Sequence, residues 1–145
     1  MKKVIKSSIW NISIFTFTLL GLILYIANCN SIYFKKVGVN SKIIVFIVLA
    51  LVMEITLLAI EFIKENKFKS ILSDAMSIII PIFVIVAIAY LLDARIYYAA
   101  TILTYEKTNQ NVQDLIPALV SLGSLLTSFI LSLILSFIMR KNTSN

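Results

Sequence analysis

Histidine is absent from this chain, and cysteine occurs once, at Cys29. Those two shortages exclude Cys-x-x-Cys redox chemistry, soft-metal centres and histidine-based acid–base catalysis within a single copy. Charge is scarce as well. Of 145 residues 14% are charged and 60% are hydrophobic, and the mean hydropathy is +0.99. That is too apolar for a soluble domain. Three glycines and two prolines fit a chain that is nearly all helix or short connection. A net charge of +6 does not point to nucleic acid, because the cations are scattered at helix ends and no basic patch with interleaved aromatics appears. No carboxylate spacing marks a magnesium site, and no cofactor is expected.

What the chain has is four long apolar stretches, Ile9–Ala27, Ile43–Ile63, Ile71–Leu92 and Leu115–Met139. A bilayer core of roughly 30 Å takes about 20 apolar residues per helix. The expected fold is an all-α membrane protein, one domain over 1–145, with four transmembrane helices as an antiparallel bundle of two hairpins. Lys2, Lys3, Lys6, Lys64, Lys67, Lys69, Arg140 and Lys141 would lie on one side, and Lys35, Lys36, Lys42, Arg95 and Lys107 on the other. The side richer in Lys and Arg is cytoplasmic, which puts both termini in the cytoplasm of a cell-membrane protein. The start could instead be a signal peptide, with Tyr25-Ile26-Ala27-Asn28-Cys29 in outline a lipoprotein cleavage site. Asn28 before the cysteine and the length of the apolar run favour a retained first helix.

Helix 1 carries Asn11, Ser13, Thr16, Thr18 and Gly21, residues suited to close helix contacts, with Trp10 and Tyr25 near its opposite ends at the headgroup level. The first connection, 28–42, is polar and too short to fold alone. Helix 3 takes Ser70 or Ser73 as N-cap and Asp74 in its first turn, where the helix dipole favours an anion. Pro81 falls in mid-helix and removes one backbone hydrogen bond. Tyr90, Tyr97, Tyr98 and Tyr105 form an aromatic belt at its outer end. In helix 4, Asn111 is the expected cap with Asp114 three residues on, and Pro117 falls in the first turns. Ser124, Ser128, Ser132 and Ser136 recur every four residues, a small-residue face for close packing rather than a conduction path.

Glu54, in the middle of the second apolar run, is the chain's most informative residue. A mid-depth ionisable group is by default a functional-site hypothesis. Counting from the cytoplasmic ends brings Pro81, Thr127, Ser128 and Thr16 or Thr18 to its level. Glu61 follows seven residues on, with Asp74 near it. In the favoured, structural reading Glu54 is a neutral hydrogen-bond donor between helices, satisfied by hydroxyls or by the carbonyl that Pro81 frees. In the functional reading Glu54, Glu61 and Asp74 mark a proton or cation route.

The stretch DARIYYAATILTYEKTNQNVQDLIPALVSLGSLL, Asp93 to Leu126, resembles a group of small four-helix membrane proteins of Gram-positive bacteria, uncharacterised in function. The shared features are Arg95, Thr104 followed by Tyr105, Lys107, Gln110-Asn111, Asp114-Leu115 and Ala118. They cover about a quarter of the chain. Glu106 and Thr108 stand where such proteins often carry Asn, and Pro117 is an addition. The resemblance implies that the exoplasmic hairpin between helices 3 and 4 is the distinguishing site.

The leading expectation is a small non-enzymatic membrane protein. It would act as an accessory or partner-binding subunit for another membrane or envelope protein, or for a second copy of itself, through Arg95, Thr104, Tyr105, Lys107, Gln110, Asn111 and Asp114. A small proton- or cation-coupled transporter using Glu54 is the alternative, and an immunity protein against a membrane-active toxin is a third. An enzyme is least expected. Asp74 and Asp93 lie at opposite ends of one helix, and no serine has a His or Lys base at its depth.

Overall fold

The computed structural model describes residues 2–63 and 66–143, with side chains placed from residue 8 to residue 137. Lys64 and Glu65 of the second connection, and the side chains of Lys2, Lys3, Lys6, Met139, Arg140 and Lys141, lie outside the described residues. Within them the elements run α1 (Lys2–Cys29), a single 3-10 turn (Phe34–Lys36), α2 (Ser41–Glu61), α3 (Lys67–Thr104) and α4 (Asn109–Thr143). All four α-helices are long and apolar enough to cross a membrane.

Several boundaries differ from those read off hydropathy. The largest difference is in α3, which continues unbroken to Thr104, twelve residues past Leu92. Hydropathy falls there because Asp93, Arg95 and two tyrosines intervene, yet the helix still has a face to bury, since Ile102 is fully enclosed. At its start, Asn66 occupies the N-cap position without a side-chain cap bond, in place of Ser70 or Ser73. Asp74 is therefore about two turns inside the helix, beyond the reach of the N-terminal dipole. Pro117 is also about two turns into α4, which begins at Asn109.

Each helix packs on two neighbours: α1 on α4 and α2, and α3 on α4 and α2. The main core draws on all four, with Ile14, Ile47, Val84 and Leu125 among its members. At Gly21 α1 comes close against α4. A Cβ there would sit 2.7 Å from both Leu125 Cγ and Cδ2, and the Ser121 hydroxyl donates to the Gly21 carbonyl at 2.7 Å. Any larger residue would force the Leu125 side chain to shift. Large aliphatic side chains also cover the outside of the helices; Ile23, Val52, Ile82 and Ile130 are each more than half exposed.

A second, smaller core lies past the end of α1. Phe34, Ile102, Leu115 and Ala118 are buried together, flanked by Tyr33, Val37, Tyr98, Ala99 and Val112. The last turns of α3 and the first turns of α4 supply two walls, and the connection 30–40 folds across them as the third. That connection is too short to bury a core by itself. It acquires one by packing its aromatic pair, Tyr33 and Phe34, edge-on against Tyr98. Gly38, at φ +80, makes the turn that returns the chain to α2.

Candidate functional site

Arg95 sits where the two cores meet and is 5% exposed. Its Nε donates to Asn28 Oδ1 at 2.9 Å, and Nη2 donates to Cys29 Sγ at 3.1 Å and to the Gly38 carbonyl at 3.5 Å. The guanidinium carbon lies 4.8 Å from the Phe34 ring centroid and 5.6 Å from that of Tyr25. Planar, weakly hydrated guanidinium suits such an aromatic sandwich in a way that ammonium does not. A first-loop carbonyl, that of Gly38, is thus one of its partners, but the main one is Asn28. Tyr25 does not stand at the periphery as its position implied; it is wholly buried, and its hydroxyl accepts from the Asn40 N–H at 2.8 Å.

Asn28 also carries the link to α4. Its Nδ2 donates to the Asp114 carbonyl at 2.8 Å. The Asp114 carboxylate accepts from the Tyr33 N–H at 2.8 Å and from Gln110 Nε2 at 2.9 Å. Arg95 and Asp114 therefore do not pair directly; they are joined through one asparagine. At the rim the Tyr33 hydroxyl donates to Glu106 Oε2 at 2.8 Å. Burial first, then that bond, holds the Tyr33 phenol above its ordinary range.

The expected cap at the start of α4 is corrected. Thr108, not Asn111, is the cap: its Oγ1 accepts from the Asn111 N–H at 3.1 Å. The Asn111 side chain donates instead, from Nδ2 to the Glu106 carbonyl at 2.9 Å. Helix α4 starts three residues earlier than the Asn111 cap required, which moves Asn111 into the first turn. Gln110 has a local partner in Asp114. Thr104 bonds back to the Ala100 carbonyl at 2.6 Å, Lys107 is exposed, and Tyr105 is 86% exposed.

Half-way along the bundle, Glu54 is 2% exposed. The Thr18 hydroxyl lies 2.8 Å from Glu54 Oε1, 2.7 Å from Ser128 Oγ and 3.0 Å from the Ile14 carbonyl. One hydroxyl thus ties α2 to α1 and α4. Glu54 Oε2 is the one fully enclosed polar side-chain atom without a partner among the described residues. Thr16 and Thr127 take no part: they bond back to Ile12 and Gly123 within their own helices.

No protein-family model, curated protein or solved structure matches this chain.

The remaining acidic groups are not gathered around Glu54. Glu61 is held by α1, its Oε2 accepting from Ser8 Oγ at 2.5 Å and its Oε1 from Asn11 Nδ2 at 2.6 Å. Ile14 and Leu57, both buried, belong to the core between that level and Glu54. Asp74 is half-buried on α3. Among the described residues no three His, Cys, Asp or Glu side chains converge on a metal-sized site. The carbonyl that Pro81 frees goes elsewhere too. Pro81 has no N–H for the Ser77 carbonyl four residues back, and the Ser136 hydroxyl donates to that carbonyl from α4.

The serine face of α4 is interior. Ser124, Ser128 and Ser132 are buried and Ser136 half-buried, with Ser121 extending the stripe by one more position. Asn28, Thr18 and Ser121 together with Gly21 form the polar contacts between α1 and α4. Asn28 and Ser121 carried no signal in the sequence beyond being polar at the end of, or inside, an apolar run.

Proposed function

We propose that this chain is a non-enzymatic, multi-pass protein of the bacterial cytoplasmic membrane. Its helices would cross alternately as two antiparallel hairpins with both termini in the cytoplasm. The small folded cap built on the α3–α4 hairpin would be its docking platform for another envelope protein. The aliphatic exterior of all four helices supports insertion, since lipid rather than water is the natural solvent for it. Helix α3 has 38 residues, about 57 Å at 1.5 Å per residue, well beyond a hydrocarbon core of roughly 30 Å. Its far end therefore projects, and with it the cap.

The observation that carries this reading is the second core. A connection needed only to join two helices has no use for a buried cluster of its own. Here Asp114, Asn28 and Arg95 brace it from beneath, while Tyr97 and Tyr105 remain 72% and 86% exposed above. Exposed aromatics are among the side chains that interfaces use as anchors. The resemblance over Asp93–Leu126 points to the same hairpin.

A photo-crosslinking residue at Tyr105 tests the platform: it should capture one reproducible partner in intact cells, whereas the same residue at Ile130 should not. Loss of that distinction would remove the docking role. Topology is tested separately. A cysteine at Asn109 should react with a membrane-impermeant reagent and one at Asn66 should not. Native Cys29, 4% exposed, gives little background. The reverse pattern would invert the orientation.

For Glu54 the proton count supports a structural role. Thr18 has one proton and three neighbours within hydrogen-bonding distance. If it donates to the Ile14 carbonyl, both remaining neighbours must donate to it. Ser128 can, and Glu54 can only as the neutral acid. All three contacts are then satisfied at once. The bare Oε2 is the single feature favouring the second reading, a small proton- or cation-coupled transporter, because a free acceptor in a dry interior could take a proton or cation.

A further inference from the structure

We propose that Glu54, Thr18 and Ser128 form a binding site for one small monovalent cation, of the sodium class, between α1, α2 and α4. The site rests on the cation reading of Glu54 without requiring transport. Three observations carry it, and the first is charge. Glu54 is 2% exposed, and no helix brings it a counter-charge. Residues 7–29 of α1, 75–92 of α3 and 115–139 of α4 contain no charged side chain, and Glu54 is the only one within 43–60 of α2. A carboxylate in a dry interior needs a compensating positive charge. The spans supply none, so whatever neutralises Glu54 comes from outside the chain, as a proton or as a metal cation.

The second observation is the set of oxygens gathered there. Glu54 Oε1 and Ser128 Oγ lie 2.8 Å and 2.7 Å from Thr18 Oγ1. Thr18 can direct its own proton at the Ile14 carbonyl, 3.0 Å away in the same helix, which leaves its lone pairs facing the carboxyl group and Ser128. A serine hydroxyl in a helix can likewise turn its proton to the carbonyl four residues back. Two hydroxyls and a carboxylate so arranged are the oxygen donors that hard cations select. The third observation is Glu54 Oε2, fully enclosed and without a partner. It belongs to the same carboxyl group as Oε1 and adds a free acceptor to the cluster. One carboxylate balances one positive charge, so the ion is monovalent; Glu61, the next carboxylate on α2, is bound by Ser8 and Asn11. Donors this close together favour a small ion over a large one. The ion takes the place of the carboxyl proton, which leaves for solvent, and the net charge of the site is zero in both states.

The test measures binding of radioactive sodium to the full chain in detergent by equilibrium dialysis, with choline chloride holding the ionic strength constant. Sodium should bind saturably at one ion per chain, with lithium competing and choline not. Glu54→Gln should abolish binding, and Ser128→Ala should weaken it by roughly tenfold through loss of one ligand. A second measurement uses the wild type alone. Dicyclohexylcarbodiimide, an apolar reagent that adds to protonated carboxyl groups, should modify Glu54, as read by peptide mass spectrometry, and sodium but not choline should protect it. Absence of saturable binding overturns the site, and so does undiminished binding to a folded Glu54→Gln or Ser128→Ala. Where neither variant folds, the carbodiimide decides: no sodium protection at Glu54 overturns the site. Dialysis in detergent involves no movement across a membrane, so a chain that binds sodium but carries none keeps the site and loses only the transport reading.

Discussion

The Ser136 hydroxyl donates to the carbonyl of Ser77, the acceptor that Pro81 deprives of its helical partner. A defect in α3 is thus repaired from α4, and the repair fixes the register of the two helices. Leaving that carbonyl unmet in an apolar interior costs about 1–3 kcal/mol.

Ser136→Ala should accordingly destabilise the protein by about 1 kcal/mol in detergent unfolding. The informative measurement is the double-mutant cycle with Pro81→Ala. Restoring the N–H gives the Ser77 carbonyl its own helix bond, so Ser136→Ala should then cost almost nothing. Equal costs in both backgrounds would mean the serine serves only its other acceptor, the Ser132 carbonyl.

Glu54→Gln should be tolerated, because an amide can either accept from or donate to the Thr18 hydroxyl that lies 2.8 Å from Glu54 Oε1. Glu54→Lys should not, given an insertion penalty of about 2.5–3.5 kcal/mol for a mid-membrane lysine. Abundance and melting temperature in detergent separate the two. A Gln variant that folds normally but loses a cellular activity would shift the argument to transport.

At Gly21, even a methyl group meets Leu125. Gly21→Ala should lower stability by about 1–3 kcal/mol through overpacking. Gly21→Ala with Leu125→Ala should be less destabilised than the two single effects added together, as measured by chemical denaturation; strict additivity would show that α1 simply moves away.

For the cap, Asp114→Ala should cost about 1–3 kcal/mol by leaving the Tyr33 N–H unmet, and the Tyr33 amide should exchange with solvent markedly faster. Thr108→Ala should cost about 0.5–2 kcal/mol as a lost helix cap. Asn111→Ala, which removes one exposed bond, should cost less than Thr108→Ala. The opposite ranking would return the cap to Asn111.

Hydropathy alone determined the number of helices and their approximate spans, because burial in apolar surroundings is a local, cumulative property of each run. It also drew attention to Glu54, since a charge within an apolar run is conspicuous wherever the run packs, while Arg95, past Leu92, was singled out by the resemblance over Asp93–Leu126. Who satisfies each of them is another matter. Arg95 finds Asn28 67 positions away, Tyr33 finds Asp114 across 81 and Ser136 finds Ser77 across 59. Such partners are chosen by the rotation and axial register of one helix against the next, and a shift of one residue turns a helix by about 100°. Periodicity within a helix says which residues share a face, as for the α4 serines, but not which face of which neighbour they meet. The extension of α3 past Leu92 has the same origin. Its polar residues lower the local hydropathy, while the surface that keeps it helical, Phe34 and the 3-10 turn, comes from a connection that acquires a core only once the helices have assembled.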